Sequence, residues 1–194
     1  MGFMVNQSRR SFLLSAGALA LAGASRADAA PVLTEDGTYR EDWFIETFLE
    51  LADDLDAARK RGKRFAVMWE LKGCPYCKET HFVNFARPDI RAFASSNFDI
   101  LPLNIIGARK VTDFDGEELS EKQLAAKYGV KFTPTIQFFP DSLDGLKSLP
   151  ARKREVIRIP GYLRPDDFLD VFRFVQQKSY ESKTFREFLK SERS

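Results

Sequence analysis

The sequence is poor in the residues that build metal centres and disulfide scaffolds. Only two of its 194 residues are cysteine, and only one is histidine. Two cysteines exclude a small fold held together by several disulfides. With one histidine, they also leave too few ligands for a closed zinc site unless carboxylates complete it. No nucleotide- or flavin-binding motif is present either, so we expect neither a metal nor another cofactor.

Excess charge and long apolar runs are also missing. The formal net charge of +2 is too small to indicate a nucleic-acid partner. After residue 30 there is no charge-free apolar stretch of about 18 residues, so we expect no stable membrane insertion of the main body. The chain is nevertheless 44% hydrophobic and contains 18 phenylalanines, enough for the core of one globular domain.

The first 29 residues have the layout of an export signal. Arg9 and Arg10 precede an uncharged run over residues 12–24, and the small-residue pattern ADA occupies residues 27–29. A basic start, a short apolar middle and a small-residue exit predict a secretory signal peptide over residues 1–29. A buried N-terminal helix is the alternative interpretation of this segment.

The basic part of this segment resembles a twin-arginine export signal. Residues 8–13 read SRRSFL, although Leu14 stands where that signal often has lysine. We predict export to the periplasm by this route, with the general secretion route as the alternative. The mature domain, residues 30–194, would carry balanced charge, because the segment removes three of 30 basic and one of 28 acidic residues. We expect a monomer in this oxidising compartment.

Apolar periodicity predicts alternating helices and strands after residue 40. The order predicts an α/β sandwich of three layers with a mixed sheet, the early strands parallel and the last two antiparallel. A charged loop over residues 140–154 should be a solvated excursion. The predicted helices cover residues 43–61, 78–95 (interrupted at Arg87-Pro88), 120–128, 164–175 and 185–189, and the predicted strands cover residues 65–70, 98–106, 135–139 and 155–159.

The two cysteines form a Cys-x-x-Cys pair at a predicted strand-to-helix junction. Residues 73–77 read GCPYC. Free backbone N–H groups and the positive end of the helix dipole should favour a thiolate at Cys74. Cys77 lies one turn further on, and Pro75 is tolerated in a first helical turn. The pattern predicts a redox dithiol in which Cys74 attacks a partner and Cys77 resolves the mixed disulfide.

Two other interpretations of the cysteine pair remain open. Cys74, Cys77 and His81 could be three ligands of a metal, although we expect His81 to be a surface or packing residue beside the site. A purely structural disulfide is the second alternative, but so short a loop constrains the unfolded chain very little.

Several segments, in this order, resemble the thioredoxin superfamily. They are the strand FAVMWE, the turn GCPYC, the segment KYGVKFTPTIQFF and the segment RIPGYLRPDDF, and the resemblance covers about residues 43–177. It implies a thioredoxin-like three-layer α/β/α sandwich with a mixed central sheet. It also implies a cis bond before Pro134, opposite the cysteines, which exposes the backbone of Thr133 to substrate. Pro75 and Tyr76 would complete the substrate-binding residues.

Two longer segments resemble the exported thioredoxins of sulfur-oxidation (Sox) gene clusters. They are WELKGCPYCKETHFVNF and DFDGEELSEKQLAAKYGV. Members of that family pass electrons from a membrane thiol transporter to the cysteine of the sulfur-carrier protein of thiosulfate oxidation. The resemblance therefore implies a protein-disulfide substrate, a membrane thiol-electron donor and a periplasmic thiol-disulfide reductase.

The chain departs from thioredoxin itself near the cysteines. Thioredoxin has a buried aspartate six residues before its first cysteine, where this chain has Met68. Glu70 or Glu79 could take its place as the proton acceptor for Cys77. Alternatively, Glu70 ends its strand facing solvent.

We infer the direction of electron flow from an insertion and a domain that other members of the superfamily carry. Dithiol oxidases of the superfamily carry a large helical insertion, and residues 107–128 are too few for it. Disulfide isomerases carry a separate dimerisation domain. A reductase is therefore favoured over an oxidase. The third hypothesis is a non-catalytic, redox-sensitive binding module with an apolar rim of Tyr76, Phe82 and Phe85.

Overall fold

The computed structural model describes residues 1–2 and 30–192, so the predicted signal peptide lies almost entirely outside the described residues. The strands are β1 (Val32–Leu33), β2 (Tyr39–Arg40), β3 (Arg64–Glu70), β4 (Phe98–Asn104), β5 (Lys110–Thr112), β6 (Glu118–Ser120), β7 (Thr135–Phe138) and β8 (Ile157–Pro160). The helices are α1 (Leu51–Lys60), α2 (Pro75–Glu79), α3 (Pro88–Asn97), α4 (Glu121–Lys127), α5 (Pro165–Gln176) and α6 (Phe185–Glu192).

A four-stranded mixed sheet with the order β4-β3-β7-β8 forms the centre of the fold. Strands β3 and β4 are parallel, whereas β7 is antiparallel to both β3 and β8. The mixed α/β sheet predicted from the sequence is confirmed. Parallel pairing of the early strands holds only for β3 and β4, because the chain re-enters the sheet at β7 from the edge at which β3 ends.

This reversal at β7 decides where the site can form. Trp69, near the end of β3, pairs with Thr135 at the start of β7. The segment before β7 and the loop after β3 therefore meet at one edge of the sheet. That edge brings Thr133-Pro134 next to the cysteines.

Alternating side chains of β3 enter two separate cores. Ala66 and Met68 lie in a core with residues of α3 and α5, whereas Val67 and Trp69 lie in a core with residues of α1 and α4. Helices therefore cover both faces of the sheet, as the predicted three-layer sandwich requires. We call the face with Met68 the redox face, because the helix that follows the cysteines covers it.

The first helix begins later than the apolar stripe predicted. It starts at Leu51, not near Trp43, because Leu49 has a positive φ of 62° that a right-handed helix cannot contain. The backbone N–H of Thr112 donates a hydrogen bond to the Leu49 carbonyl (2.9 Å), which joins this segment to β5. Phe44 is buried as the stripe requires, but Phe48 is 96% exposed.

The predicted helix after the cysteines consists of three parts. Helix α2 passes into a π-helical segment over Thr80–Phe85, and α3 begins at Pro88. The predicted interruption at Arg87-Pro88 is confirmed and follows from the restriction that proline places on the preceding residue. A π-helical turn is uncommon and places His81 and Phe85 together inside the redox face.

The charged loop over residues 140–154 is only partly the solvated excursion that we expected. Arg154 is buried and pairs with Asp113 and Asp115, so this prediction is wrong for Arg154. Burying a guanidinium requires such partners, and both lie around the β5–β6 hairpin, distant in sequence. None of the helices in the described part of the chain has the length and apolar character needed to span a bilayer.

Candidate active site

The cysteine pair occupies the junction between β3 and α2. Cys74 is the N-cap of α2, and the backbone N–H of Cys77 donates a hydrogen bond to the Cys74 sulfur (3.1 Å). The two residues form a disulfide with a Cα–Cα distance of 5.3 Å. Gly73 turns the chain into the helix with a φ of +74°, a value that favours glycine. In the reduced protein, the same N–H and the helix dipole would stabilise a Cys74 thiolate.

The two sulfurs differ in their access to solvent. Cys74 is partly exposed, whereas Cys77 is only 1% exposed. A partner protein can therefore reach Cys74 but not Cys77. This order agrees with the predicted roles, in which Cys74 attacks and Cys77 resolves.

The segment before β7 approaches the disulfide directly. The Thr133-Pro134 peptide bond is cis, and the Thr133 carbonyl oxygen lies 3.4 Å from the Cys74 sulfur. Pro134 is buried, whereas Thr133 is partly exposed. The structure thus brings these two predicted substrate-binding residues to the cysteines from a segment almost 60 residues away.

Aromatic residues lie near Cys74 and Thr133 in the sequence and are exposed. Tyr76 is 55% exposed and stacks on Tyr162 with ring centroids 6.1 Å apart, and the adjacent Pro75 is also exposed. Phe132, beside Thr133, is exposed as well, although no sequence pattern pointed to it. Phe85 is completely buried, so the predicted apolar rim cannot include it.

His81 is neither a surface residue nor a metal ligand beside the cysteines. It is fully buried, with Nδ1 2.8 Å from Glu41 Oε1 and Nε2 2.9 Å from Glu70 Oε1. We call this arrangement the Glu41–His81–Glu70 bridge. The alternative in which Glu70 faces solvent is wrong, because Glu70 is 1% exposed. Glu79, the other candidate proton acceptor, is only half-buried and interacts with Tyr162.

The bridge shifts the pKa values of its members. Burial lowers the pKa of His81, but the hydrogen bonds to Glu41 and Glu70 outweigh it and raise the pKa to about 9. Burial raises the pKa of Glu70, and the hydrogen bond from His81 offsets only part of that effect. Nothing in the sequence indicated Glu41, which lies 40 residues before its histidine partner.

Comparison with known proteins places this geometry in a family. A family model described as a thioredoxin-like domain matches residues 51–176. The chain belongs to the thioredoxin-like family. No match was found among curated protein sequences.

Solved structures with this kind of domain resemble the chain at low sequence identity. A thioredoxin-fold protein from Helicobacter pylori is 22% identical over 72% of this chain and 88% of its own, with a TM-score of 0.49. A thioredoxin from Thermus thermophilus is 21% identical over 63% and 81%, with a TM-score of 0.47. The oxidised C-terminal domain of Neisseria meningitidis DsbD is 16% identical over 68% and 97%, with a TM-score of 0.46.

In a thioredoxin-like domain, a Cys-x-x-Cys disulfide at a helix N-terminus indicates thiol–disulfide oxidoreductase chemistry. Within residues 1–2 and 30–192, no group of three or more cysteine, histidine or acidic side chains is arranged to hold a metal ion. The metal interpretation of Cys74, Cys77 and His81 is wrong, because both ring nitrogens of His81 face carboxylates.

Proposed function

We propose that this chain is a periplasmic thioredoxin-like reductase that reduces disulfides of partner proteins by dithiol exchange. The observation that supports this proposal most directly is the unequal exposure of the two cysteines. An accessible Cys74 stabilised by a backbone N–H is suited to attack, and a buried Cys77 is protected from outside thiols.

The exchange transfers two electrons to the partner. The Cys74 thiolate attacks one sulfur of the partner's disulfide, which breaks that bond and releases one partner thiolate. The Cys77 thiol then loses its proton and attacks Cys74, so that the Cys74–Cys77 disulfide forms and the second partner thiolate leaves. Both partner sulfurs take up protons, and the chain ends oxidised.

The residues around Cys74 support an extended substrate segment. The partly exposed backbone of Thr133 lies beside the Cys74 sulfur and can pair with a substrate main chain in the manner of a β-strand. Pro134, Pro75 and Tyr76 would line the same position and limit how the partner disulfide approaches.

The cellular setting follows from the sequence and forms part of the proposal. Residues 1–29 direct the protein to the periplasm by the twin-arginine route, where it acts as a monomer. A membrane thiol-electron donor reduces the Cys74–Cys77 disulfide again after each turnover, since the chain has no nucleotide- or flavin-binding motif. The sulfur-carrier protein of thiosulfate oxidation is the proposed substrate.

The test is the reduction potential of the Cys74–Cys77 pair, measured in graded thiol/disulfide buffers. A value of about −250 mV or lower would support the reductase, and a value above about −150 mV would identify a dithiol oxidase instead. Reduction of insulin, followed by turbidity, should be lost in Cys74→Ser. Activity retained in that variant would contradict the dithiol mechanism and support a binding module.

A further inference from the structure

The Glu41–His81–Glu70 bridge joins three parts of the chain. Glu41 precedes α1, Glu70 ends β3, and His81 lies in the π-helical segment that continues α2. Ionised carboxylates only accept hydrogen bonds, so a histidine between two of them must donate from both ring nitrogens. His81 is therefore a buried imidazolium.

Further charged and aromatic groups surround this imidazolium. Glu41 Oε2 accepts a hydrogen bond from Arg91 of α3 at 2.9 Å, so both oxygens of Glu41 are paired. Asp36, from the β1–β2 turn, adds a further negative charge that acts on Glu70. The ring of Tyr39 lies 5.7 Å from the His81 ring. The backbone N–H of Tyr39 also lowers the pKa of Glu70, against the larger effect of burial.

One oxygen of the bridge remains without a partner. Glu70 Oε2 is buried and makes no hydrogen bond with any residue that the structure describes. A buried carboxylate oxygen is normally paired, because leaving it unpaired costs free energy. The free acceptor therefore needs an explanation in the chemistry of the site.

Glu70 and Cys77 are both buried beside the segment that carries His81. Glu70 is two residues after Met68 and shares its face of β3, and its carboxylate contacts His81 of the helix that covers this face. Cys77, in α2, precedes His81 by four residues, which is about one helical turn. Both Cys77 and Glu70 are buried from solvent, so water does not compete for the thiol proton.

We propose that Glu70 accepts the proton of the Cys77 thiol when the mixed disulfide is resolved, and that Glu41 acts through His81 as its positioning residue. The inference rests on the proposed thiol–disulfide exchange and assigns its proton transfer. The Cys77 S–H bond breaks and its proton goes to Glu70. The sulfur's electron pair forms the bond to Cys74, and the partner thiolate leaves. The Glu70 proton is later released to the departing thiolate or to solvent.

Glu41 lies outside the part of the chain that the family model matches. The family match begins at residue 51, whereas Glu41 comes ten residues earlier. Glu41 keeps His81 protonated, and the imidazolium in turn keeps Glu70 ionised, the form that can accept a proton. Burial raises the pKa of Glu70 towards that of a thiol, which favours transfer between them.

The test separates the two cysteines by their kinetics. Fully reduced protein is mixed with Ellman's reagent in a stopped-flow instrument. Attack by Cys74 releases the first coloured thiolate, and attack by Cys77 on the resulting mixed disulfide releases the second. We expect Glu70→Gln to slow only the second phase, by about 100-fold, the lower range for a general base.

Glu41→Gln is the decisive variant, and Asp42→Asn is its matched control. Glu41 and Asp42 both pair with Arg91, and each change removes one negative charge, but Asp42 is half exposed. We expect Glu41→Gln to slow the second phase about 10-fold at pH 7 and to shift its acid limb to higher pH, because a less protonated His81 leaves Glu70 more easily protonated. Asp42→Asn should change neither.

The outcomes distinguish this inference from the proposed function. Equal rates of the second phase in Glu41→Gln and Asp42→Asn would overturn the role of Glu41. An unchanged rate of the second phase in Glu70→Gln would overturn the inference as a whole. If the wild-type protein fails to reduce insulin but these variants behave as expected, the reductase proposal fails and the proton acceptor stands.

Discussion

Two buried ionic networks lie on opposite faces of the same sheet. The Glu41–His81–Glu70 bridge lies on the redox face. The other network, which we call the Asp113 network, consists of Asp113, Asp115, Lys127, Tyr128 and Arg154. Its central carboxylate, directly after β5, is fully buried and contacts α4, the adjacent Tyr128 and the loop over residues 140–154.

The networks differ in how completely their oxygens are paired. Asp113 Oδ1 accepts hydrogen bonds from the Phe114 N–H and the Tyr128 hydroxyl, both at 2.7 Å. Asp113 Oδ2 contacts Lys127 at 2.5 Å and Arg154 at 2.7 Å. Every lone pair position of this carboxylate has a partner, whereas Glu70 retains an unpaired oxygen.

The networks also differ in what can titrate. The cations of the Asp113 network are a lysine and an arginine, and ion pairing, which outweighs the opposing burial, raises the pKa of Lys127 above its already high value. The cation of the bridge is a histidine, whose raised pKa of about 9 still lies below the pKa of an ordinary lysine or arginine. The Asp113 network, whose central carboxylate is fully paired and whose cations stay charged, stabilises the fold. The bridge, which has a titratable cation and an unpaired acceptor, can take part in proton transfer.

Removing the guanidinium of Arg154 should have the largest effect on stability. Arg154→Ala leaves Asp113 and Asp115 with Lys127 as their remaining cation and frees the Lys147 and Leu149 carbonyls. Breaking a buried pair in this way should lower the free energy of unfolding by about 4 kcal/mol. Urea denaturation measures the change.

The control for this variant is its neighbour. Lys153→Ala removes the same charge from an exposed position and should cost less than about 0.5 kcal/mol. Arg154→Ala should leave the reduction potential of the cysteine pair unchanged. A shifted potential would show that the Asp113 network also acts on the redox site.

The bridge should make stability depend on pH in a window that the Asp113 network does not affect. The pKa of His81 is raised from 6.5 to about 9 in the folded protein. Its stabilising contribution is therefore complete below about pH 6.5 and is lost as the pH rises through about 9. The loss should approach about 3 kcal/mol, measured by urea denaturation between pH 6 and 10.

His81 is the only histidine of the chain, which makes the window specific. His81→Gln should remove this pH dependence, whereas Arg154→Ala should retain it on a lower baseline. A similar slope in His81→Gln would assign the titration to other groups and contradict the protonated state inferred for the bridge.

Features that depend on local patterns were predicted well from the sequence. The Cys-x-x-Cys turn, the strand β3 before it and the helix break at Pro88 all follow from residues within a few positions of one another. The start of the predicted helix over residues 120–128 is another case, since Ser120 and Gln123 form a complete capping box. Hydrogen bonds and backbone restrictions within one turn suffice to decide such features.

Features that depend on distant partners were missed. The start of α1 is decided by the pairing of Leu49 with Thr112, and the burial of Arg154 by Asp113. His81 looks like an ordinary helix residue until Glu41 and Glu70 meet it from two other elements. A single sequence shows the spacing within each element but not which charged side chains the packed layers bring together.

The smallest predicted effect comes from making the same substitution, tyrosine to phenylalanine, on each face of the central sheet. Tyr128→Phe removes the hydroxyl that donates to Asp113 Oδ1 at 2.7 Å, and loss of one hydrogen bond to a charged group should cost about 1.5 kcal/mol of unfolding free energy. Tyr180→Phe is the matched control on the redox face, because the Tyr180 hydroxyl is buried without a hydrogen bond to any described residue. Removing it should be neutral or slightly stabilising, since an unpaired buried hydroxyl costs free energy. Equal losses in the two variants, measured by urea denaturation, would show that packing around the rings, and not saturation of Asp113, distinguishes the two faces.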